Sequence, residues 1–283
     1  MPAPADFGIV GRPVRRIDAG GAWAAAAPDS VVVEEPLEIR VGAETLAVTM
    51  RTPGDDAHLA LGFLLAEGLI RARADVAEIR ALDGPGGLAN AIEVIPRAGV
   101  ATLDPAALAP SRRGTLTTAA CGVCGRKTVA DLLARAGKVA PGPVVAREVL
   151  AASPDALRRA QSIFAETGAI HAAAALTSRG EVLAAAEDVG RHNAVDKVVG
   201  ALLEAGAIGA AGERAPAILV VSGRVSFEII QKAAVAGIPI VAGVSAPTSL
   251  AIDLAEACAI TLAGFVRAGR MNVYTGEARV SGS

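Results

Sequence analysis

Two cysteines three residues apart, Cys121 and Cys124, are the residues of this sequence best suited to covalent chemistry. The chain has only three cysteines, too few for a disulfide framework, so a pair this close favours sulfur chemistry. Gly122 and Gly125 permit left-handed backbone conformations beside each sulfur, which predicts an accessible loop. An arginine and a lysine follow directly and favour the thiolate, the nucleophilic form of a cysteine. The pair is therefore a candidate nucleophilic centre.

Two other interpretations of the Cys-x-x-Cys pair stay open at this point. A structural zinc site usually has four ligands, and the remaining candidates, Cys258 and three histidines, are scattered along the chain. A thioredoxin-like redox pair would follow a strand at the start of a β-α-β unit. This pair instead follows a polar, turn-like stretch at residues 111–114. Both alternatives fit the sequence less well than a reactive thiolate does, and plain core cysteines fit least well, because glycines and basic residues flank the pair.

The composition excludes several classes of function. Hydrophobic residues, largely alanine, make up 52% of the 283 residues and aromatic residues only 2%, which predicts helices packed through small side chains. A formal net charge of −2 and few aromatic rings give no basic or base-stacking surface, so nucleic acid is not expected as a partner. Apolar segments such as 215–221 and 233–244 are too short to span a membrane. Free cysteines without an export signal predict a cytoplasmic protein.

The periodicity of apolar residues divides the chain into regions. Residues 1–28, rich in Ala, Gly and Pro, are predicted to form a loose N-terminal arm. Residues 29–110 alternate apolar and polar positions in short runs, which predicts a small β-rich subdomain with a helix across it. Residues 111–146 hold the cysteine loop and a connecting helix. Helix-like and strand-like segments alternate over 147–283, which predicts an α/β domain built as a three-layer sandwich.

The same patterns place the individual elements along the chain. Helices are predicted over residues 57–68, 148–166, 193–205, 226–236 and 249–257. Strands are predicted over residues 31–35, 37–41, 46–50, 89–95, 171–177, 182–187, 217–221, 238–242 and 259–264.

Four segments that follow predicted strands combine glycine, hydroxyl, amide and arginine side chains. Ligands bind at the carboxyl ends of strands in α/β sheets, and helix N-termini and arginines bind phosphate. One such loop alone would be read as an ordinary capped turn. Four of them on one sheet edge predict a phosphorylated, nucleotide-bearing ligand. The segments are 187–193, 222–226, 243–249 and 265–272, and candidate ligand residues in the first two are Arg191, His192, Asn193, Ser222 and Arg224.

The three histidines and the third cysteine differ in how strongly their sequence context suggests a function. His192 lies between an arginine and an asparagine in a predicted site loop and is the best functional candidate among the histidines. His171 begins a predicted strand and could equally be a satisfied core residue. His58 is expected at the surface or in packing, and Cys258, at the end of an apolar helix, is expected to pack.

Seven ordered motifs between residues 30 and 276 resemble the formate dehydrogenase accessory sulfurtransferase family of the FdhD type. Because they occur in order over most of the chain, they are far more specific than the cysteine pair alone. The motifs lie at residues 35–40, 50–56, 60–68, 115–128, 187–197, 222–228 and 265–270.

The resemblance implies a sulfurtransferase. Family members take sulfane sulfur from a cysteine desulfurase onto a loop cysteine as a persulfide. They pass it to the bis-guanine-dinucleotide form of the molybdenum cofactor, a bound substrate, for formate dehydrogenase. Carried over to this sequence, Cys121 would carry the persulfide and Cys124 would assist it. The residues that would hold the guanine dinucleotide part are Phe265, Val266, Arg267, Ala268, Gly269 and Arg270.

The resemblance also implies a fold and a set of partners. The main domain of the family resembles the cytidine deaminase fold, and the expected partners are a cysteine desulfurase, the formate dehydrogenase catalytic subunit and a second copy in a homodimer. The loops at 190–193 and 222–225 lack the zinc ligands and glutamate of deaminases, so neither deamination nor a permanently bound metal is expected. Two alternatives remain open: a chaperone that binds the molybdenum cofactor without moving sulfur, and a general thiol–disulfide oxidoreductase.

Overall fold

The computed structural model describes residues 8–42, 44–82, 90–103 and 137–282. The cysteine loop at 115–128, with Cys121 and Cys124, lies outside the described residues. The helices are α1 (Asp56–Ala66), α2 (Arg147–Arg159), α3 (Ser162–Thr167), α4 (Arg191–Glu204), α5 (Phe227–Val235) and α6 (Ser249–Ala257). The strands are β1 (Ile9–Val14), β2 (Ala27–Val32), β3 (Glu35–Val41), β4 (Glu44–Arg51), β5 (Val76–Leu82), β6 (Ala91–Pro96), β7 (Val145–Ala146), β8 (His171–Leu176), β9 (Val182–Asp188), β10 (Ile218–Val221), β11 (Ile240–Gly243), β12 (Thr261–Arg267), β13 (Arg270–Thr275) and β14 (Val280–Ser281).

Six strands of the second half form one mixed sheet in the order β13-β12-β11-β10-β8-β9. Strands β10, β11 and β12 are parallel, whereas β8 and β13 are each antiparallel to their neighbours. Every residue of β10 and β11 is buried, as expected for a sheet covered on both faces. Leu150 and Leu157 of α2 pack on one face with Ile218 and Val220. Helices α4, α5 and α6 pack on the other face, so the predicted mixed α/β architecture is confirmed.

The first half forms a four-stranded sheet in the order β4-β3-β6-β5, as well as the separate β1-β2 hairpin. The predictions of strands at 37–41 and 46–50 and of a helix from residue 57 agree with β3, β4 and α1. Strand β6 lies close to the predicted 89–95, whereas β5 was not predicted. The predicted strand at 31–35 is wrong, because β2 ends at Val32 and β3 begins at Glu35.

Residues 9–14 were expected to belong to a loose arm but form β1, which pairs antiparallel with β2. Both strands contain proline and charged residues and are only half-buried, so their local sequence has weak strand character. The structure here is determined by the pairing of two segments that are separated by residues 15–26, and a local pattern does not carry that information.

Two further elements differ from the sequence-based expectation. The helix predicted over 148–166 is two helices, α2 and α3, interrupted at Gln161, whose backbone is not helical. The free backbone N–H groups at the start of α3 find an acceptor in Glu187. Its carboxylate accepts from the N–H groups of Ile163 and Phe164, both at 2.8 Å. The predicted loop at 265–272 is instead the β12-β13 hairpin. The exposed polar residues of β13 resemble a loop in sequence, but hydrogen bonding to β12 makes this segment a strand.

Helices α1 and α4 cross with almost no space between their backbones. A Cβ atom added at Gly62 would lie 1.9 Å from the carbonyl oxygen of Asp196, and one at Gly200 would lie 1.9 Å from that of His58. The two glycines therefore allow α1 to approach α4 closely, and α4 begins at a predicted ligand segment. None of the helices in the described part of the chain has the length and apolarity needed to cross a membrane.

Replacing Gly200 by alanine should destabilise the protein. Alanine is favoured over glycine in a helix by about 1 kcal/mol, but the new methyl group meets backbone and forces the helices apart, with an expected cost of about 1–3 kcal/mol or more. Thermal unfolding of Gly200→Ala should therefore show a lower Tm. Gly11→Ala, where an added Cβ meets nothing within 4 Å, is the control. An unchanged Tm in Gly200→Ala would contradict the close helix contact.

Candidate functional site

The topology brings all four predicted ligand segments to one edge of the six-stranded sheet. This edge, formed by residues 187–193, 222–226, 243–249 and 265–272, is called the ligand edge. Strands β9, β10, β11 and β12 run in the same direction, so their carboxyl ends meet at that edge. Strand β8 runs the opposite way and begins there with His171, which pairs with Asp188 at the end of β9. The expectation of a shared edge is thus met, although the fourth segment reaches it as a hairpin.

Backbone hydrogen bonds tie three of these segments to one another. Val225 donates to the carbonyl of Ala246 at 3.1 Å and accepts from the N–H of Thr248 at 3.0 Å. The N–H of Phe265 donates to the carbonyl of Ser245 at 3.2 Å. The segment after β10, the segment after β11 and the β12-β13 hairpin therefore form a continuous surface.

The segment after β9 is held by a fully buried carboxylate, Asp188. Its oxygens accept from the N–H of Gly190 at 2.8 Å, from the N–H of Thr52 at 3.2 Å and from Lys197 Nζ at 2.9 Å. Burial raises the pKa of Asp188, and the charge and hydrogen bond of Lys197 oppose that rise. Lys197 Nζ also donates to the carbonyl oxygen of Thr52 at 2.9 Å. The ion pair thus joins the ligand edge to the end of the N-terminal sheet.

Asn193, which was predicted as a ligand residue, belongs to the same network of hydrogen bonds around Asp188. Its Nδ2 donates to the carbonyl of Met50 at 2.7 Å and to Asp188 Oδ1 at 3.0 Å, and its Oδ1 accepts from the hydroxyl of Thr49 at 3.3 Å. The side chain is 5% exposed. Its amide is thus engaged with the protein and orients the start of α4.

His192 is also buried, and it links the first two segments. Its Nε2 lies 2.9 Å from the hydroxyl of Ser226 and 2.7 Å from Glu228 Oε2 at the start of α5. One helical turn further along, Lys232 Nζ contacts Asp196 Oδ1 at 2.5 Å. Two polar contacts, stacked one turn apart, therefore fix α4 against α5 directly behind the ligand edge.

The other predicted ligand residues divide into exposed and buried groups. Arg224, Arg267, Ala268, Gly269 and Arg270 are exposed at the edge, and Phe265 is 36% exposed. Val266 is fully buried in the sheet core, so its side chain faces away from any ligand at this edge. Ser222 is half-buried, and its hydroxyl oxygen accepts from the N–H of Ala172 at 2.9 Å.

The β12-β13 hairpin has a backbone that non-glycine residues seldom adopt. Phe265 has φ 54° and Ala268 has φ 49°, and both are therefore left-handed. Such a conformation costs roughly 1–2 kcal/mol for each non-glycine residue. The register of the two strands shifts between Gly264 and Arg267, which marks a bulge. Arg267 lies at this bulge, Arg270 begins the next strand, and both residues are exposed.

His171 belongs to this edge, although the sequence left its role undecided. A Cβ atom added at Gly223 would lie 3.3 Å from His171 Nδ1 and 3.8 Å from the Cδ of Arg191. Burial lowers the pKa of His171, the charges of Arg191 and His192 lower it further, and the charge of Asp188 opposes this shift. Only the antiparallel direction of β8 brings the start of that strand to the ligand edge, and no local signal in the sequence reports that direction.

The one cysteine in the described part of the chain, Cys258, is buried, and burial raises the pKa of its thiol. Its predicted packing role is confirmed. Within the same described residues, no group of three or more His, Cys, Asp and Glu side chains could hold a metal ion.

Replacing Lys197 by methionine should destabilise the protein strongly. The substitution leaves Asp188 buried without its cation, and breaking a buried pair in this way costs about 3–5 kcal/mol. Urea unfolding of Lys197→Met should show that loss, and the double variant Lys197→Met/Asp188→Asn should recover part of it. The control is Arg80→Met, which removes an exposed ion pair with Glu78 and should be nearly neutral. Equal losses in the single and double variants would contradict a role for the uncompensated charge.

The chain is similar to known proteins in both sequence and structure. The chain is 52% identical over 259 residues to the sulfur carrier protein FdhD of Anaeromyxobacter dehalogenans, with 90% of each chain covered. It is 46% identical over 264 residues to the protein of that name from Mycobacterium tuberculosis, with 90% of this chain and 92% of that one covered. In structure it is similar to a protein from Desulfotalea psychrophila described as a formate dehydrogenase accessory protein, with a TM-score of 0.72 and 24% identity over 96% of this chain and 99% of that one. A family model, that of FdhD/NarQ, matches residues 32–281, and the chain therefore belongs to the FdhD/NarQ family.

Proposed function

We propose that this protein is a cytoplasmic sulfurtransferase that carries sulfur as a persulfide on Cys121. The sulfur comes from a cysteine desulfurase and goes to the bis-guanine-dinucleotide molybdenum cofactor, a bound substrate, for use by the formate dehydrogenase catalytic subunit. The observation that carries the proposal is the 52% identity, over 90% of the chain, to a relative named as a sulfur carrier protein. The Cys-x-x-Cys pair with adjacent glycines and basic residues supports it, because it suits an activated thiolate.

The first step is a thiol exchange in which no net oxidation occurs. The Cys121 thiolate attacks the outer sulfur of the desulfurase persulfide, and a bond forms between Cys121 Sγ and that sulfur. The bond between the outer sulfur and the desulfurase cysteine breaks, and the desulfurase thiolate leaves with the electron pair. Cys121 is then a persulfide.

In the second step Cys124 acts as the resolving thiol. Its thiolate attacks Cys121 Sγ, the bond to the terminal sulfur breaks, and that sulfur leaves as sulfide with the electron pair. The sulfide is then available as a ligand for the molybdenum of the cofactor. Cys121 and Cys124 become a disulfide, which a cellular dithiol reduces, so the two electrons that convert sulfane sulfur to sulfide come from the cysteine pair.

Nucleotide binding at the sheet edge is the second part of the proposal. Arg267 and Arg270 on the strained hairpin are exposed, and Arg224 lies on the neighbouring segment. Guanidinium groups bind phosphate through paired hydrogen bonds, so three of them along one edge suit a diphosphate. The cytidine deaminase-like fold of the sheet domain and a homodimeric assembly are proposed on the family resemblance alone.

Persulfide formation should depend on Cys121. After incubation with a cysteine desulfurase and cysteine, intact-protein mass spectrometry should show a gain of about 32 Da per sulfur that maps to Cys121 and is lost on thiol reduction, as expected of an activated thiolate. Cys121→Ala should lose that gain and should fail to support formate dehydrogenase maturation. Cys258→Ala is the control and should retain it, because the Cys258 thiol is buried.

Other outcomes of the same experiment would point elsewhere. Formation of a Cys121–Cys124 disulfide without release of sulfide, together with the absence of any persulfide on Cys121 in the variant Cys124→Ala, which lacks the resolving thiol, would favour a thiol–disulfide oxidoreductase. Full formate dehydrogenase maturation by the variant Cys121→Ser/Cys124→Ser would favour a chaperone that only carries the cofactor. Either result would overturn the sulfur-carrier proposal.

Replacing Arg267 or Arg270 by alanine should weaken the binding of guanosine diphosphate. Hydrogen bonds to charged groups contribute about 1.5–3 kcal/mol each, so a loss of about 10–100-fold in affinity is expected in isothermal titration calorimetry. Arg179→Ala is a matched control, because Arg179 is an exposed arginine paired with Glu213 and lies beyond the opposite end of β8. Unchanged affinity in both hairpin variants would contradict phosphate binding by the hairpin.

A further inference from the structure

The β1-β2 hairpin extends into an arm, residues 8–32, that exposes most of its length. Residues 11–26 are all exposed except Val14, which is half-buried. β1 and β2 pair along their whole length, and a bridge between Ile17 and Trp23 continues the hairpin beyond them. The arm therefore has a defined structure without a hydrophobic core of its own.

Polar contacts fix the tip of the arm. Asp18 Oδ1 accepts from the N–H groups of Gly20 at 2.8 Å and Ala22 at 3.0 Å, which closes the turn. Arg16 Nη2 pairs with Asp29 Oδ1 at 2.9 Å across the two strands. Because the tip is already ordered, a partner that binds it does not have to pay the full entropic cost of ordering it.

The tip exposes a small patch that is both apolar and cationic. Trp23, the only tryptophan of the chain, is 62% exposed, and Ile17, which lies opposite it, is 55% exposed. The guanidinium carbon of Arg15 lies 5.4 Å from the centre of the Trp23 ring. Tryptophan and arginine are among the residues that contribute most to binding at protein interfaces. These three residues, the tip patch, are therefore suited to contact another protein.

The charge of the arm indicates what kind of surface would complement it. Arg16 is paired with Asp29, whereas Arg12 and Arg15 are exposed and have no carboxylate partner in the part of the chain that the structure describes. The carboxylate of Asp18 is engaged with the N–H groups of its own turn. A cleft that combines apolar side chains with carboxylates is the complement of such a surface.

The base of the arm lies beside the ligand edge. A Cβ atom added at Gly8 would lie 3.3 Å from the Cγ2 of Thr52. The hydroxyl of Thr52 accepts from the N–H of Val189, which belongs to the ligand edge, at 3.2 Å. Ser30 Oγ donates to Glu166 Oε1 on α3 at 2.6 Å. A protein that is bound to the arm is therefore held close to the proposed nucleotide site.

The described residues that follow the cysteine loop contact the other end of the sheet. The N–H of Val139 donates to the carbonyl of Cys258 at 2.9 Å. Cys258 precedes β12, whose carboxyl end lies at the ligand edge, so this contact is at the opposite edge. A partner on the arm thus adjoins the site proposed for the cofactor, which favours the protein that accepts the cofactor over the protein that donates sulfur.

The arm also lies outside the sequence pattern that defines the family. The family model matches residues 32–281 and so begins at the last residue of β2. Sulfur transfer, as the chemistry of the family, is therefore not expected to depend on the arm. Exposed connecting segments commonly carry recognition of a partner.

We infer that the arm docks in an acidic, partly apolar cleft of the protein that accepts the molybdenum cofactor, the formate dehydrogenase catalytic subunit. Trp23 and Ile17 fill the apolar part of the cleft, and Arg12 and Arg15 contact its carboxylates. The inference rests on the proposed function, in which that subunit takes the cofactor. It adds the surface by which this protein holds the subunit beside the ligand edge.

The test uses the single tryptophan of the full-length protein as a probe. Incorporation of fluorotryptophan gives one fluorine NMR resonance, that of Trp23, because the chain has no other tryptophan. Addition of the cofactor-free formate dehydrogenase catalytic subunit should shift and broaden this resonance. Addition of the cysteine desulfurase should leave it unchanged.

Variants of the arm should bind the catalytic subunit more weakly in isothermal titration calorimetry. Trp23→Ala should lose about thirtyfold in affinity, or about 2 kcal/mol. Rising salt concentration should lower the affinity of the unmodified protein but not that of Arg12→Glu/Arg15→Glu. Val182→Ala is the matched control, because Val182 is an exposed apolar residue at the start of β9, away from the ligand edge, and it should bind normally.

A second set of measurements separates docking from folding. Trp23→Ala should keep its Tm, because no residue of the arm beyond Gly8 is buried in the described structure. It should also keep its affinity for guanosine diphosphate and the persulfide on Cys121, because the tip patch belongs to neither site.

The remaining outcomes overturn the inference in distinguishable ways. An unchanged resonance with the catalytic subunit, together with normal binding by Trp23→Ala, would show that the subunit does not use the arm. A shift caused by the desulfurase would assign the arm to the sulfur donor, and a shift caused by anionic phospholipid vesicles would assign it to a membrane surface. A shift with rising concentration of this protein alone, together with a smaller assembly of Trp23→Ala in sedimentation velocity, would assign it to a second copy. In each case persulfide formation and nucleotide binding decide separately whether the proposed function stands.

Discussion

The buried ion pair between Asp188 and Lys197 is the interaction on which the arrangement of the site depends. Asp188 ends β9 at the ligand edge, Lys197 lies on α4, and both contact Thr52 at the end of β4. Two charges taken out of water are tolerated only when their remaining hydrogen-bonding capacity is used, and the N–H of Gly190 and the amide of Asn193 use it here. The pair thus joins two sheets and sets where α4 begins.

Polar side chains at the edge fall into two groups with different physical roles. Asn193 and His192 are buried and engage partners within the protein, so they orient the segments that carry them. Arg224, Arg267 and Arg270 are exposed, so their charges face the surroundings. Inside the protein, cations are matched by carboxylates, as Lys232 is by Asp196. The three arginines at the edge are therefore accessible to solvent, whereas the buried side chains behind them are engaged within the protein.

Several features of the edge cost free energy in the protein by itself. Phe265 and Ala268 hold left-handed backbone conformations, and Gln161 buries an amide without a partner. Such features persist only where the surrounding packing enforces them, and they concentrate at functional sites. The close crossing of α1 and α4 at Gly62 and Gly200 belongs to that enforcing framework, because it fixes the helix that starts at the edge. The rigid packing behind the ligand edge therefore maintains the strained backbone conformations at its surface.

The sequence by itself determined the mixed α/β character, the approximate positions of most core helices and strands, the segments at the ligand edge and the family. These features depend on apolar periodicity and on short runs of glycine and arginine, which are local. Only the tertiary structure decided that residues 9–14 pair with β2, that Gln161 interrupts a helix, that residues 270–275 form a strand, and that His192 and Asn193 are buried. It also brought His171 to the same edge. Each of these outcomes depends on contacts between residues distant in the chain, which a local pattern does not encode.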